Sequence, residues 1–345
     1  MVPVAGDPFA VAPAGRWSFV SVPSSSIIGF RAGSSLPPTL AFSLPVTSQA
    51  LGEAITHDGR YLLAASASGA LVIGVARAEH GSSNAVLGSL TSLTSPAAAG
   101  AAGAIEVAVS RDDRFAFVSL EDSDEIAVFD LNRALTHGFG PADFVGTIPV
   151  GEGPVGMAAS PDGQWLYATS EVERGMRPSV NVPGTLSVIN LHRAETDPAG
   201  SVVSTVVAGC GPVRVITSAS GSVIWVTARE SDALLAFSAA RLRSDPARSL
   251  IAQLEVGEAP VGLALVSNGR RIVVADSNRF GAPGAASSLA VVSVAAVLAG
   301  QPALLGFVGA GQFPREMALE PGGKTLLVTN FGSQQLEAVD VADLP

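Results

Sequence analysis

Short apolar stretches alternate with tight turns along this chain, and one arrangement of the two recurs seven times. In its clearest copy Val155–Ala159 leads into the turn Pro161-Asp162-Gly163, and Trp165–Thr169 follows. The turn recurs as Pro13-Ala14-Gly15, His57-Asp58-Gly59, Arg111-Asp112-Asp113, Ala219-Ser220-Gly221, Ser267-Asn268-Gly269 and Pro321-Gly322-Gly323. Six of the seven end in glycine, which reaches the positive φ that such hairpins need; Asp113 departs, and aspartate tolerates that region better than most residues. Four residues after each turn stands an apolar side chain: Phe19, Leu63, Phe117, Tyr167, Trp225, Val273 and Leu327. With Trp17, Tyr61, Phe115 and Trp165 two residues after the turn, the period is that of a strand. A third strand is predicted in every copy, at Ile27–Arg31, Leu71–Val75, Ile126–Asp130, Leu186–Asn190, Leu234–Ser238, Leu289–Ser293 and Leu336–Asp340. Six copies continue into a fourth, as at Phe144–Val150 and Leu250–Val256.

Each repeat thus predicts four short antiparallel strands in about 49 residues, the 345-residue chain divided by seven. Helical repeats and a parallel sheet do not fit. The predicted fold is all-β: a seven-bladed β-propeller of four-stranded antiparallel blades, residues 1–345 forming one domain. The seventh copy stops after its third strand. Pro3-Val4-Ala5-Gly6-Asp7-Pro8 aligns without gaps to Pro149-Val150-Gly151-Glu152-Gly153-Pro154, so Met1–Val4 should complete the last blade and close the ring. Four residues make a short strand, which points to a native chain that begins earlier. A removed leader would place the protein outside the cytoplasm; after Met1 itself no basic region and apolar core follow.

Composition narrows the partners. Apolar residues make up 48% of the chain, charged residues 14% and aromatics 6%, which excludes a disordered chain. No apolar run reaches the ~18 residues of a membrane span. Acids exceed bases by ten, so nucleic acid would be repelled by the average field. Cys210 is the only cysteine, which excludes an intramolecular disulfide. A monomer that meets a small-molecule ligand or a protein partner is the expected state.

Two repeat segments carry a family resemblance. Leu166-Tyr167-Ala168-Thr169-Ser170 and Leu326-Leu327-Val328-Thr329-Asn330, each after Pro-x-Gly, resemble the YVTN β-propeller repeat over nearly the whole chain. The repeat also resembles that of the lactonase-like propellers, and Phe313-Pro314-Arg315-Glu316 is similar to their Pro-Arg repeat start. The resemblance implies His, Arg and Glu at the channel mouth; here no histidine follows Pro314-Arg315. A WD40 assignment fails because the chain has no Trp-Asp dipeptide.

Chemistry is expected where loops from fourth to first strands and from second to third strands gather round the channel. The position two after the repeat proline, with blades two and three aligned by their turns, reads Ala10, Glu53, Glu106, Gly156, Arg214, Gly262 and Glu316. Glu53, Glu106 and Glu316 are therefore candidate acid/base groups or ligands of a divalent cation, with Arg214 compensating their charge. The same groups could equally form a solvated ring that keeps blades in register. Arg214 and Arg315 could hold an anionic group or oxyanion. Long second-to-third-strand loops in blades four and six bring Arg174, Arg177, Asn278 and Arg279 to the same face, and Arg229 lies between them in blade five. Cys210 sits four residues before Arg214, where a guanidinium could favour its thiolate, although no histidine is predicted nearby. His57, His80, His137 and His192 fall blades apart, on the opposite face or the rim, without zinc spacing. These features support two readings. One is a lactonase-like propeller binding a small polar molecule and hydrolysing or isomerising a lactone or related ring. The other is a non-catalytic binding or scaffold protein.

Overall fold

The structure is a computed structural model. It describes residues 1–24, 26–31, 37–82, 84–93, 103–172, 182–281 and 285–345. Seven four-stranded antiparallel sheets follow one another in a ring. Blade four is representative: Glu152–Ala159 lies innermost, then Trp165–Val172, Pro183–Asn190 and, outermost, Val202–Cys210. Each blade contributes one face to the cluster before it and one to the cluster after it. Phe115 and Phe117 pack toward blade four, while Ala116, Val118 and Leu120 of the same strand pack toward blade two. That two-sided burial explains why the second strands Trp17–Val22, Phe115–Leu120 and Val223–Ala228 are buried at every residue.

Val2–Pro3 is the outer strand of blade seven, with Val2 opposite Leu336 and Pro3 opposite Gln335. The Val4 amide donates to the Gln334 carbonyl at 2.8 Å, and the Val4 side chain is buried in the cluster between blades seven and one. The closure read from the repeats is the one the molecule has.

The sequence reading missed a short helix after the third strand in five blades: Val75–Glu79, Leu131–His137, Leu191–Ala194, Ala239–Ser244 and Val294–Leu298. Val75, expected to end a strand, begins the first of these. Four carry a side-chain cap: Asp130, Asn190, Ser238 and Ser293 accept from the amides of Arg133, Arg193, Arg241 and Ala296. In blade four the second strand runs on to Val172, the third begins at Pro183, and Cys210 ends the fourth.

Candidate functional site

Hydroxyl groups in the second strands fix the register of the innermost strands. Thr227 Oγ1 accepts from the Arg214 amide at 3.1 Å and donates to the Val261 carbonyl of the next blade at 2.7 Å. Ser21 does the same between the Ala10 amide, at 3.1 Å, and the Leu51 carbonyl, at 2.5 Å. Thr329 accepts from Glu316 N at 3.0 Å and donates to Phe9 O at 3.3 Å. The bridged amide marks one ring position, and the residue just before it supplies the carbonyl. By this register the ring is Ala10, Gly52, Glu106, Gly156, Arg214, Gly262 and Glu316.

Glu53 is therefore one residue out of place. It pairs with Ala64, as Val107 pairs with Val118 and Met317 with Val328, so it sits on the opposite side of the strand from Glu106 and Glu316. The cause is legible afterwards: Glu53 stands six residues before its turn glycine, whereas Gly156, Arg214 and Glu316 stand seven before theirs. Glycine suits three ring positions because the next blade comes close there. A Cβ on Gly52, Gly156 or Gly262 would lie 2.5, 2.2 or 2.3 Å from a carbonyl oxygen of the following blade.

Arg214 is the hub. Its Nε donates to Glu316 Oε1, its Nη2 is 3.5 Å from Glu106 Oε2, and its Nη1 donates to the Val155 carbonyl at 2.8 Å. One buried guanidinium thus ties together blades three, four, five and seven. Burial pushes the Glu106 carboxyl up to about 7, against the pull of Arg214 and with a further push from Glu316. Glu53 lies within electrostatic reach of Glu106. Burial first, and Glu106 second, raise its pKa well above the usual carboxylate range, and neither of its oxygens has a hydrogen-bond partner. Glu106, Glu316 and Arg214 converge; Glu53 lies beside Glu106 on the other side of its strand, with its pKa raised. Among the described residues no group of three or more Asp, Glu, His or Cys side chains is arranged to hold a metal ion.

The position before the ring reads Phe9, Leu51, Ile105, Val155, Val213, Val261 and Arg315. Six apolar side chains and one arginine line this level. Val155, Val213 and Val261 pack together with Ile105 and Phe313. The Arg315 guanidinium lies 3.7 Å from the centroid of Phe9 and 5.9 Å from those of Phe313 and Phe331. Among the described residues it forms no ion pair, and its Nε is buried without a hydrogen-bond partner. Burial, and then the nearby Arg214, depress its pKa to about 9.

Second-to-third-strand loops form the rim. Arg229 donates to Glu171 at 2.9 Å. Arg279 lies 5.5 Å from the ring centre of Phe280 and 5.3 Å from that of Phe313, and burial lowers its pKa. Glu121 faces the same space: burial raises its pKa, and Arg315 and Arg229 partly oppose the rise. Asn278 is occupied locally, its Nδ2 donating to the Ala286 carbonyl at 3.0 Å. The Cys210 amide donates to Ser231 Oγ at 2.8 Å, and among the described residues no hydrogen bond joins Cys210 to Arg214, Glu106 or Glu316. Arg174 and Arg177 lie outside the described residues. Sequence reasoning missed Phe9, Phe313, Phe331 and Glu121; the apolar run at the pre-ring position, broken only by Arg315, was the available signal. A separate cleft of about 1120 Å³ opens between blades six and seven on the opposite face, near Arg270 and Lys324, and contains none of the candidate residues.

Seven four-stranded blades in a ring, four of them joined by Arg214 and the groups it holds, define a β-propeller. Residues 53–279, about two thirds of the chain, match the family described as lactonase, 7-bladed beta-propeller, and the protein belongs to that family. No curated protein matches it. Among solved structures it is similar to hydrazine synthase of Kuenenia stuttgartiensis, with 18% identity over 99% of this chain and 96% of that one and a TM-score of 0.74. A chain of the mitotic checkpoint complex shares 13% identity over 98% of this chain and 90% of that one, with a TM-score of 0.73. A functionally unknown protein from Desulfotomaculum acetoxidans DSM 771 shares 13% over 88% and 86%, with a TM-score of 0.64. At these identities the likeness concerns the fold alone.

Proposed function

We propose that the upper mouth binds a small carboxylate-bearing molecule on Arg315 and that Glu106 performs acid/base chemistry on a lactone or related ring. Arg315 carries this reading. Its guanidinium is half-buried among aromatic rings and forms no ion pair within 4 Å among the described residues, with Glu316 and Glu106 acting on it only from a distance, so a bound anion would supply a direct partner. Membership of the lactonase propeller family supports the choice of reaction. Glu106 suits the task because a group titrating at about 7 both accepts and returns a proton near neutrality.

In hydrolysis Glu106 takes a proton from the attacking water while the water oxygen bonds to the lactone carbonyl carbon. Arg315 or Arg214 faces the oxyanion that forms. Collapse breaks the ring C–O bond, and the proton returns from Glu106 to the departing alkoxide. Arg214, held by Glu106 and Glu316, keeps the reacting carboxyl in place. Glu106→Gln tests the chemistry: against a panel of carboxylate-bearing γ- and δ-lactones, turnover followed by acid release should fall about 10²–10⁴-fold. Full turnover in a folded Glu106→Gln variant would remove Glu106 from the reaction. Carboxylate binding without turnover of any ring in the wild type would favour the non-catalytic binding protein.

A further inference from the structure

Five innermost strands are entered through a left-handed residue three positions before the ring: Gly103, Gly153, Gly211, Ala259 and Phe313. Three are glycine, for which this conformation is free of Cβ strain. Phe313 holds φ at +50°, where a bulky side chain is an outlier. The ring gained by this choice is directed to the site already described. It packs on the apolar level of the channel, meets Phe331 at 5.3 Å with the planes 56° apart, and lies beneath Arg279. The Arg315 guanidinium is 5.9 Å from both ring centres, so cation and ring pair face one another. Phe280, on the other side of Arg279, is largely exposed.

We propose that Phe313 sets specificity: the mouth selects a flat aromatic carboxylate, its anionic group on Arg315 and its ring in the corner made by Phe313 and Phe331. This rests on the reading that Arg315 holds a carboxylate, and it adds the shape of what the carboxylate is attached to. Tilted aromatic pairs gain over aliphatic contacts of the same area, whereas the charge interaction with Arg315 is common to both ligand types. A glycine here would relieve the backbone, so the strain at Phe313 is offset by what its ring touches.

Calorimetric titration of the full chain with benzoate and with cyclohexanecarboxylate separates the two claims, since the acids share charge and approximate size. The wild type should prefer benzoate by about five-fold. Phe313→Gly and Phe313→Asn, both suited to the left-handed region, should bind both acids with a ratio near one and should melt close to the wild type. Equal binding of the two acids by the wild type, or an unchanged preference in the folded variants, would overturn the role of Phe313 while leaving the carboxylate reading standing. Binding of neither acid would remove both. Should both variants fail to fold, Phe313→Leu decides: it keeps bulk without the ring, so a lost preference supports the proposal and a kept one overturns it.

Discussion

At the residue scale, the site is set by side chains that break the pattern of their own repeat position. Glu106, Arg214 and Glu316 occupy positions that the other four blades give to glycine or alanine, and Arg315 occupies one that six blades give to an apolar residue. The first departure was legible in the sequence. The second was only half legible, because Arg315 was noted for its charge and not for the six apolar residues beside it. Glu106 makes stability depend on pH. Its carboxyl titrates at about 7 in the folded chain and near its ordinary value of 4.5 in the unfolded one, so the folded state binds the proton more tightly. The resulting stabilisation is complete below pH 4.5 and is lost as pH rises through about 7. Melting temperature measured across that window should therefore fall more steeply in the wild type than in Glu106→Gln. Parallel curves would contradict the raised pKa.

At the element scale, a single hydroxyl, from Ser21, Thr169, Thr227 or Thr329, ties an innermost strand to that of the next blade. Thr227→Val keeps the shape but leaves the Arg214 amide and the Val261 carbonyl without their partner. The expected cost is about 1–3 kcal/mol for the pair, read from denaturant unfolding, and Arg214 should hold the Glu106 and Glu316 carboxylates less firmly. A Thr227→Val protein as stable as the wild type would deny the bridge its role. These bridges also explain the misplacement of Glu53. Blade two lacks the repeat proline and has Ala65 where five other blades carry a hydroxyl, so two local markers of register are missing together; blade six has Ala275 there but keeps its proline, Pro260. A slip of one residue then turns a side chain to the opposite face of its strand. The helices after the third strands went unread for a different reason. With four to seven residues each, they are too short to show a helical period, and only the capping residues Asp130, Asn190, Ser238 and Ser293 mark their starts.

At the scale of the whole molecule, the repeat made the architecture readable without a structure. A unit that must bury both faces of its sheet can do so only against copies of itself, and seven copies close into a ring. Closure depends on Val2–Pro3 and on the buried Val4. Removing residues 1–4 should expose the edge of Gln335–Asp340, lower stability by roughly 1.5–3 kcal/mol from Val4 alone, and increase self-association on sizing chromatography. An unchanged melting curve would show that the last blade stands without its N-terminal strand. What the repeat could not reveal is which of several equivalent charged positions bears a ligand, because that depends on long side chains crossing the channel between blades distant in sequence, as Arg214 reaches Glu106 and Glu316.

The central claim is that Arg315, a half-buried cation without an ion pair among the described residues, takes a carboxylate ligand, and paired titrations of the wild type and Arg315→Met with benzoate test it most directly. Methionine matches the apolar lining and removes the buried charge, so the variant should melt higher, by about 1–3 kcal/mol in stability, while benzoate binding weakens at least about ten-fold. Equal affinity for benzoate in the two proteins, or a variant that is less stable than the wild type, would contradict the account.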